Sequence, residues 1–266
     1  MPHYYPHLNE GIAAQFPIRR TTRYRTVVNV NDLTTGLRTT DPGARRIAWW
    51  LRYQGLADNE MASLQNFFRA VRGPLDSFVF LDPEANLLAH SENLADPIWQ
   101  STAGLSVTPA PASPVEAEQA FRLTSAPGQT AQVYQAVNAD ASYRRVLSMY
   151  ARAGTSDSLT LFLRSAGDEQ SMTYTLESQW KRFHFGGQFW SSGSGVEVGL
   201  RLNEGASADI TAIQLEAQCS PSRYKRSSSL GGVYPDARFA QDSVRFTTLA
   251  PNCHQAALIV TAPLPE

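Results

Sequence analysis

Residues 196–202 read VEVGLRL. Val196, Val198, Leu200 and Leu202 alternate with Glu197, Gly199 and Arg201, the cleanest two-residue period in the chain. Successive side chains of a strand point to opposite faces, so this stretch is read as a strand with one buried side. Similar short runs lie on either side of it: Phe121/Leu123, then Val133, Gln135 and Val137, then Arg145–Ala151, Ser158–Arg164, Met172–Leu176, Lys181–Phe189 and Ile210–Glu216. No helical period interrupts them. Eight short strands at spacings of ~8–15 residues describe an all-β sandwich or barrel.

Upstream the pattern differs. Thr22–Val30 alternates, with Tyr24, Thr26, Val28 and Val30 on one face, and is read as a strand. Arg45–Gln54 alternates again, with Ile47, Trp49, Leu51 and Tyr53 on one side; the adjacent Trp49 and Trp50 must then point to opposite faces. Asp58-Asn59-Glu60 is a helix-start signal, followed by Met61, Leu64, Phe67, Phe68 and Val71 at helical spacing and stopped by Gly73-Pro74. This predicts a helix over about 58–72. Ser77–Leu81 is a strand ended by Asp82-Pro83, and residues 86–115, with the Pro-rich TPAPASP, read as a junction. The N-terminal stretch 1–20 carries Tyr4, Tyr5, Leu8, Ile12 and Phe16 without regular period. It reads equally as a disordered tail or as an arm used in assembly.

After Tyr224 comes KRSSSLGG, read as a polar linker, and then two strands, Ser243–Thr248 and Gln255–Thr261. Two strands do not fold alone. Their return to the first segment is the favoured reading, since that segment otherwise has three strands and one helix. Two domains are expected: 1–85 together with 233–266, and 86–232 as an insertion.

Composition narrows the function classes. The 266 residues are 42% hydrophobic, enough for a packed core, and the 23 basic and 24 acidic side chains leave a net charge of −1. Near-neutrality gives no footprint for nucleic acid or an anionic membrane. The two cysteines, Cys219 and Cys253, are too few for a disulfide framework and are expected as reduced thiols. The start of the chain has no basic stretch leading into an apolar core, so no signal peptide is expected, and no apolar run approaches the ~20 residues of a membrane span. A soluble protein made in a cytoplasm is the expectation.

The sequence carries no catalytic signature. His3, His7, His90, His184 and His254 show no metal-binding spacing, and there is no phosphate loop or G-x-S-x-G elbow. Cys253-His254 are adjacent, which does not make a reactive pair. The carboxylate pairs Asp168/Glu169 and Glu116/Glu118 fall in turn-like polar stretches and read as solvated loops rather than as a glycosidase dyad. Asp209 reads as a plain loop aspartate rather than as a calcium ligand. No catalytic residue, metal or cofactor is expected. Sugars dock on exposed aromatic faces. Of Trp99, Trp180 and Trp190, the first two read as core, and Trp190, before SSGSG near a strand end, is the candidate glycan-binding residue.

Three stretches carry a resemblance. Phe16-Pro17, Trp49 and NFFRAVRGPLDSFVFLDP at 66–83 resemble the distal tail and minor tail proteins of long-tailed phages. EANLLAHSENLADPIW at 84–99 and ESQWKRFHF at 177–185 resemble carbohydrate-binding-like jelly rolls inserted in phage tail and coat proteins. AIQLEAQCSPSRYKRSSSLGGVYPDARF at 212–239 is similar to the end of those same jelly rolls. The resemblance implies a mainly β fold: a small β-barrel or sandwich assembly domain with one α-helix, carrying an antiparallel jelly-roll β-sandwich. It implies a structural protein of the virion tail that forms a ring, a hexamer or else a trimer. The ring would join the tail tube protein to the tip, hub or baseplate, with the jelly roll outward and available to host surface glycans. The other readings are a glycan-binding receptor-recognition protein and, less favoured, a glycan-degrading enzyme.

Overall fold

The computed structural model describes residues 2–30, 36–110, 114, 119–155, 158–190 and 194–264. The fold is mainly β with antiparallel sheets and one α-helix. In chain order the elements are β1 (Arg19–Arg23), β2 (Thr26–Val30), β3 (Gly36–Thr40), β4 (Arg46–Leu56), α1 (Asp58–Ala70) and β5 (Phe78–Leu81). Then come β6 (Gln100–Ser101), β7 (Leu105–Ala110), β8 (Ala120–Ser125), β9 (Ala131–Asp140), β10 (Arg145–Ala153) and β11 (Ser158–Ser165). They are followed by β12 (Asp168–Thr175), β13 (Lys181–Gly187), β14 (Ser194–Leu202), β15 (Ser207–Glu216), β16 (Val233–Phe239), β17 (Phe246–Ala250) and β18 (Cys253–Pro263). The chain divides into two compact units, residues 1–9, 13–80 and 234–266 in the first and 10–12 and 81–233 in the second.

The first unit is a sheet in the order β1-β4-β18-β16-β5, with β17 also on β18. β18 runs antiparallel along β4 from His254 opposite Leu56 to Pro263 opposite Arg46. The alternation read at 45–54 buries Ile47, Trp49, Leu51 and Tyr53, and its counterpart on β18 buries Ala256, Leu258, Val260 and Ala262. Trp50 faces the other way, with the Arg19 guanidinium 5.3 Å from its ring centroid. Helix α1 starts where the sequence places it. Asp58 N–H is capped by the Asn252 side chain at 2.8 Å, and Ala57 N–H donates to Glu60 at 2.9 Å. It ends at the left-handed Arg72 and Gly73, the latter donating to the Phe68 carbonyl. Of its apolar stripe Leu64 is buried, while Phe67 and Phe68 are half-buried and turn their rings to Phe239 at 5.9 and 4.9 Å.

The N-terminal stretch is neither a tail nor free of the core. Tyr5, Leu8, Ala13 and Ala14 are buried. Tyr5 N–H donates to Val79 and Val79 N–H donates to His3. Tyr5 packs among Phe67, Phe78, Phe80 and Phe239 and meets the Tyr53 hydroxyl at 2.7 Å; that hydroxyl donates onward to the Ala13 carbonyl at 2.8 Å. Burial lifts the Tyr5 phenol well above its ordinary pKa, and the Tyr53 neighbour adds to it. Aromatic partners contributed by distant segments replace a local period, so the sequence pattern was silent here. Phe16 lies outside this cluster and is exposed. The strand predicted over 22–30 is two: it breaks at Tyr24-Arg25, β1 joining β4 and β2 pairing with β3 in a separate hairpin.

The second unit has two five-stranded antiparallel sheets, β13-β10-β15-β8-β7 and β12-β11-β14-β9-β6. Consecutive strands β8, β9, β10 and β11 pass between the two sheets, as do β12 through β15. Alternating crossover of this kind is a jelly roll. All eight strands read from the sequence are present. The junction read over 86–115 is not only a junction, since β6 and β7 lie in it; Pro109 is accepted because β7 is an edge strand. The KRSSSLGG stretch is tied down rather than free. Lys225 N–H donates to Gln214, its ammonium meets Glu216 at 3.2 Å, and Ser227 N–H donates to Ser91 at 3.0 Å.

Trp49→Ala should cost about 3–5 kcal/mol, as for a large aromatic removed from a packed core. Trp50→Ala should cost about 1 kcal/mol or less. Tyr53→Phe should cost about 1–3 kcal/mol through two buried hydrogen bonds. Denaturant melts of the three variants check the order.

Candidate functional site

The outward half of VEVGLRL is where the chemistry collects. Val196, Val198, Leu200 and Leu202 go into the sandwich; Glu197, Gly199 and Arg201 face out. Register sets their neighbours. Gly199 lies between Tyr134 on β9 and Phe162 on β11, Glu197 between Ala136 and Arg164, and Arg201 between Gln132 and Thr160. Gly199 is required by packing: a Cβ there would come within 2.6 Å of the Tyr134 Cβ and 2.7 Å of the Phe162 ring. Its absence lets the Phe162 ring lie across β14 towards Tyr134.

Phe162 is on the outer face yet fully covered. Two arginines roof it. The guanidinium carbons of Arg164 and Arg201 each lie 5.2 Å from its ring centroid, and Arg164 is also 5.6 Å from the Tyr134 centroid. Each roof is braced by a carboxylate. Arg164 Nε meets Glu197 at 2.7 Å, and Arg201 holds both oxygens of Glu169 at 2.7 and 2.8 Å. The Thr160 and Thr173 hydroxyls, 2.8 Å apart, extend the polar row. Beside this cluster opens a cavity of about 590 Å³, lined by Tyr134, Arg164, Glu197, Gly195 and the left-handed turn Ala166-Gly167. The result is one accessible ring, Tyr134, edged with guanidinium donors and carboxylate acceptors set side by side. A pyranose presents the same features in complement: an apolar C–H face and adjacent hydroxyls that both donate and accept.

The sequence candidates land unevenly. Trp190 is 88% exposed, on the stretch leading into β14, whose Gly195–Glu197 line the cavity. Trp99 is buried, its indole N–H donating to the His90 carbonyl at 3.1 Å. Trp180 is half-buried at the opposite sheet, with Arg152 4.9 Å from its centroid. Asp168 and Glu169 are not a solvated loop: they open β12, and Glu169 belongs to the arginine cluster. Asp209 is not in a loop either. It lies inside β15, fully buried, between Arg122 at 2.7 Å and Arg152 at 2.9 Å. Burial acts to raise its pKa, but the bonds and charges of the two arginines outweigh this and hold the carboxyl below its ordinary value. Glu116 and Glu118 lie outside the described residues. His184 is exposed, turned from Phe183 and Phe185. His254 is buried and bonded to Asp58 at 2.6 Å and Thr248 at 3.0 Å, not to Cys253. Cys219 and Cys253 are free thiols. Among the described residues no cluster of His, Cys, Asp or Glu is arranged to hold a metal, and no helix is long and apolar enough to cross a membrane.

The stretches at 84–99 and 212–228 come together as a clasp within the second unit. The Asn86 amide accepts from Leu88 and Leu215 N–H and donates to the Ile213 and Lys225 carbonyls. Tyr224 bonds Ser91 at 3.0 Å and Glu92 at 3.1 Å, and Arg226 meets Glu92 at 3.2 Å. Burial foremost pushes the Tyr224 phenol above its usual range. These residues join the two ends of the sandwich; their part is structural.

No family model matches the chain, and no curated protein matches it. Solved structures do, at low identity. The enzymatically active domain of bacteriophage CBA120 tailspike protein 4 is 14% identical over 51% of this chain, with a TM-score of 0.42; the chain covers 22% of its length. The module TmCBM61, solved in complex with β-1,4-galactotriose, is 17% identical over 49% of this chain and 97% of its own, with a TM-score of 0.39. The CBM22-1 xylan-binding domain of Paenibacillus barcinonensis Xyn10C is 15% identical over 53% of this chain and 99% of its own, with a TM-score of 0.42.

Asp209 supplies the acid-side prediction. A carboxyl whose folded pKa lies below the ordinary 3.8 contributes stability above that value and loses it as the pH falls through the folded pKa. Asp209→Asn should cost about 2–3 kcal/mol at neutral pH. Denaturant midpoints at pH 7 and pH 3 should show the gap between wild type and variant closing at the lower pH.

Proposed function

We propose that the second unit binds glycans on the outer face of its β12-β11-β14-β9-β6 sheet, and that the chain is a structural protein of a phage tail. The observation that carries the first part is the half-buried Tyr134 ring at the cavity, beside the Arg164–Glu197 and Arg201–Glu169 pairs that cover Phe162. A sugar laid on Tyr134 would find guanidinium and carboxylate groups at adjacent positions for vicinal hydroxyls. Trp190, exposed four residues ahead of β14 in sequence, is assigned a stacking role in this reading. The second part rests on the residues quoted at 66–83, 84–99 and 212–239. In this reading the first unit makes a ring, a hexamer or a trimer, joining tail tube to tip or baseplate, and the chain resides in the virion tail. The host surface supplies the glycan.

The proposed role is binding without catalysis. Glu169 and Glu197 each brace an arginine over the Phe162 ring, and positioning that arginine is the part this reading gives them. A receptor-recognition protein outside the tail ring would use the same surface.

The purified chain should give saturable signal on an array of bacterial surface polysaccharides. Tyr134→Ala with Glu197→Gln should weaken it roughly tenfold or more with the melt unchanged, and Trp190→Ala should weaken it less. Silence on every glycan, or a signal indifferent to all three substitutions, would remove the glycan reading. Cryo-electron microscopy of virions decides the other part: density in a side fibre or the capsid, instead of a ring between tube and tip, refutes it.

A further inference from the structure

The first unit carries an unrelated polar groove of about 500 Å³ on the outer face of its sheet. Arg52 and Gln54 enter from β4, Gln255 from β18 and Thr247 from β17. Arg245 and Gln241 come from the stretch where the chain leaves β16 before joining β17. The groove exists because the ladder is interrupted there. The Gln241 side chain takes the Ile259 N–H and reaches the Ala257 carbonyl, filling backbone positions that a continuous strand would occupy.

The lining offers donors and no carboxylate. Neither the Arg52 nor the Arg245 guanidinium has an ion-pair partner among the described residues, and both are exposed. The surrounding face has the same sign. β1, β4, β17 and β18 contain no Asp or Glu. Arg23 stands directly opposite Arg46 across the β1–β4 pair, a like-charge contact that costs stability until an anion screens it. The near-neutral chain hides a separation: the first unit has 12 arginines against 8 acidic residues, the second 11 basic against 16 acidic. Asp242, the nearest acid in sequence, is exposed and does not line the groove.

We propose that this groove docks a carboxylate-rich segment of an acidic protein partner, with Arg52 and Arg245 gripping carboxylates and the Gln54 and Gln255 amides bonding the partner's backbone. Two guanidiniums, one on β4 and one on the stretch before β17, suit planar, bidentate carboxylates spaced along a chain. Amides that both donate and accept suit peptide groups better than phosphodiesters, which only accept. The proposal stands apart from glycan binding, which uses the other unit.

The test is fluorescence anisotropy of the full chain with a labelled peptide of alternating Glu and Ser, at physiological salt. A duplex DNA of equal charge is the second arm and sodium sulfate the competitor. Saturable binding of one peptide per chain is expected. Arg52→Gln and Arg245→Gln should each weaken it roughly fivefold or more, while Arg69→Gln, on the exposed side of α1, should change it less than twofold. Loss of equal size in Arg69→Gln would mean diffuse attraction and overturn the site. DNA binding as tight as the peptide and equally sensitive to Arg52 would assign the groove to nucleic acid instead. No saturable binding of the peptide overturns the proposal outright.

Discussion

The first unit depends on one pairing, β18 laid antiparallel along β4. It joins residue 46 to residue 263 and brings two alternating faces together, so that Trp49, Leu51 and Tyr53 share a core with Leu258 and Val260. Closing a flexible loop of some two hundred residues would cost roughly 5 kcal/mol in chain entropy. The second unit removes much of that cost by bringing its own ends together: Asp82 N–H donates to Gly232 at 2.8 Å, and Gly232 N–H donates to Asn86 at 2.7 Å. The clasp of Asn86, Glu92 and Tyr224 holds those ends together within the second unit. The stretches at 84–99 and 212–228 are, in structural terms, the parts that hold the two ends of the sandwich.

In the second unit a single missing side chain organises the outer face. Gly199 leaves room for Phe162 to lie across β14, and the two arginines that then cover the ring are fixed by carboxylates, Arg164 by Glu197 on the adjacent β14 and Arg201 by Glu169 on β12, one strand further across the sheet. Aromatic, cation and anion are thus held in register by the backbone ladder rather than by loops. Sites built on strands are positioned more accurately than sites on loops. The opposite sheet uses similar components differently. There Arg122 and Arg152 turn onto Asp209, and the acid is fully buried. Such a pair is satisfied internally and leaves little to offer a ligand.

The chain's neutrality conceals charge that is sorted by unit, and the sorting follows from topology. The first unit collects arginines from β1 and β4 on one sheet face with no acidic strand among their neighbours. The second places both half-buried arginines of its β12-β11-β14-β9-β6 sheet, Arg164 and Arg201, against a glutamate. A global charge count excludes neither a local anion site nor a local polar-aromatic one.

What the sequence determined by itself was whatever depends on period and punctuation. The alternation at 45–54 and 196–202, the helix between Asp58 and Gly73 and the mainly β class all follow from residues a few positions apart, because burial of one face imposes a period of 2 or 3.6. The opposite facing of Trp49 and Trp50 follows in the same way. What needed the tertiary structure was every relation across strands. Glu169 looked like a turn residue because its arginine partner lies 32 positions away. Asp209 looked like a loop residue because the two arginines that neutralise it lie on separate strands. Tyr5 looked unplaced because its aromatic partners come from four separate segments. Trp190 drew attention as an isolated tryptophan, while the roofed Phe162 drew none. Which residues share a sheet face across β9, β11, β12 and β14 is set by register, and register is decided only when the strands have paired.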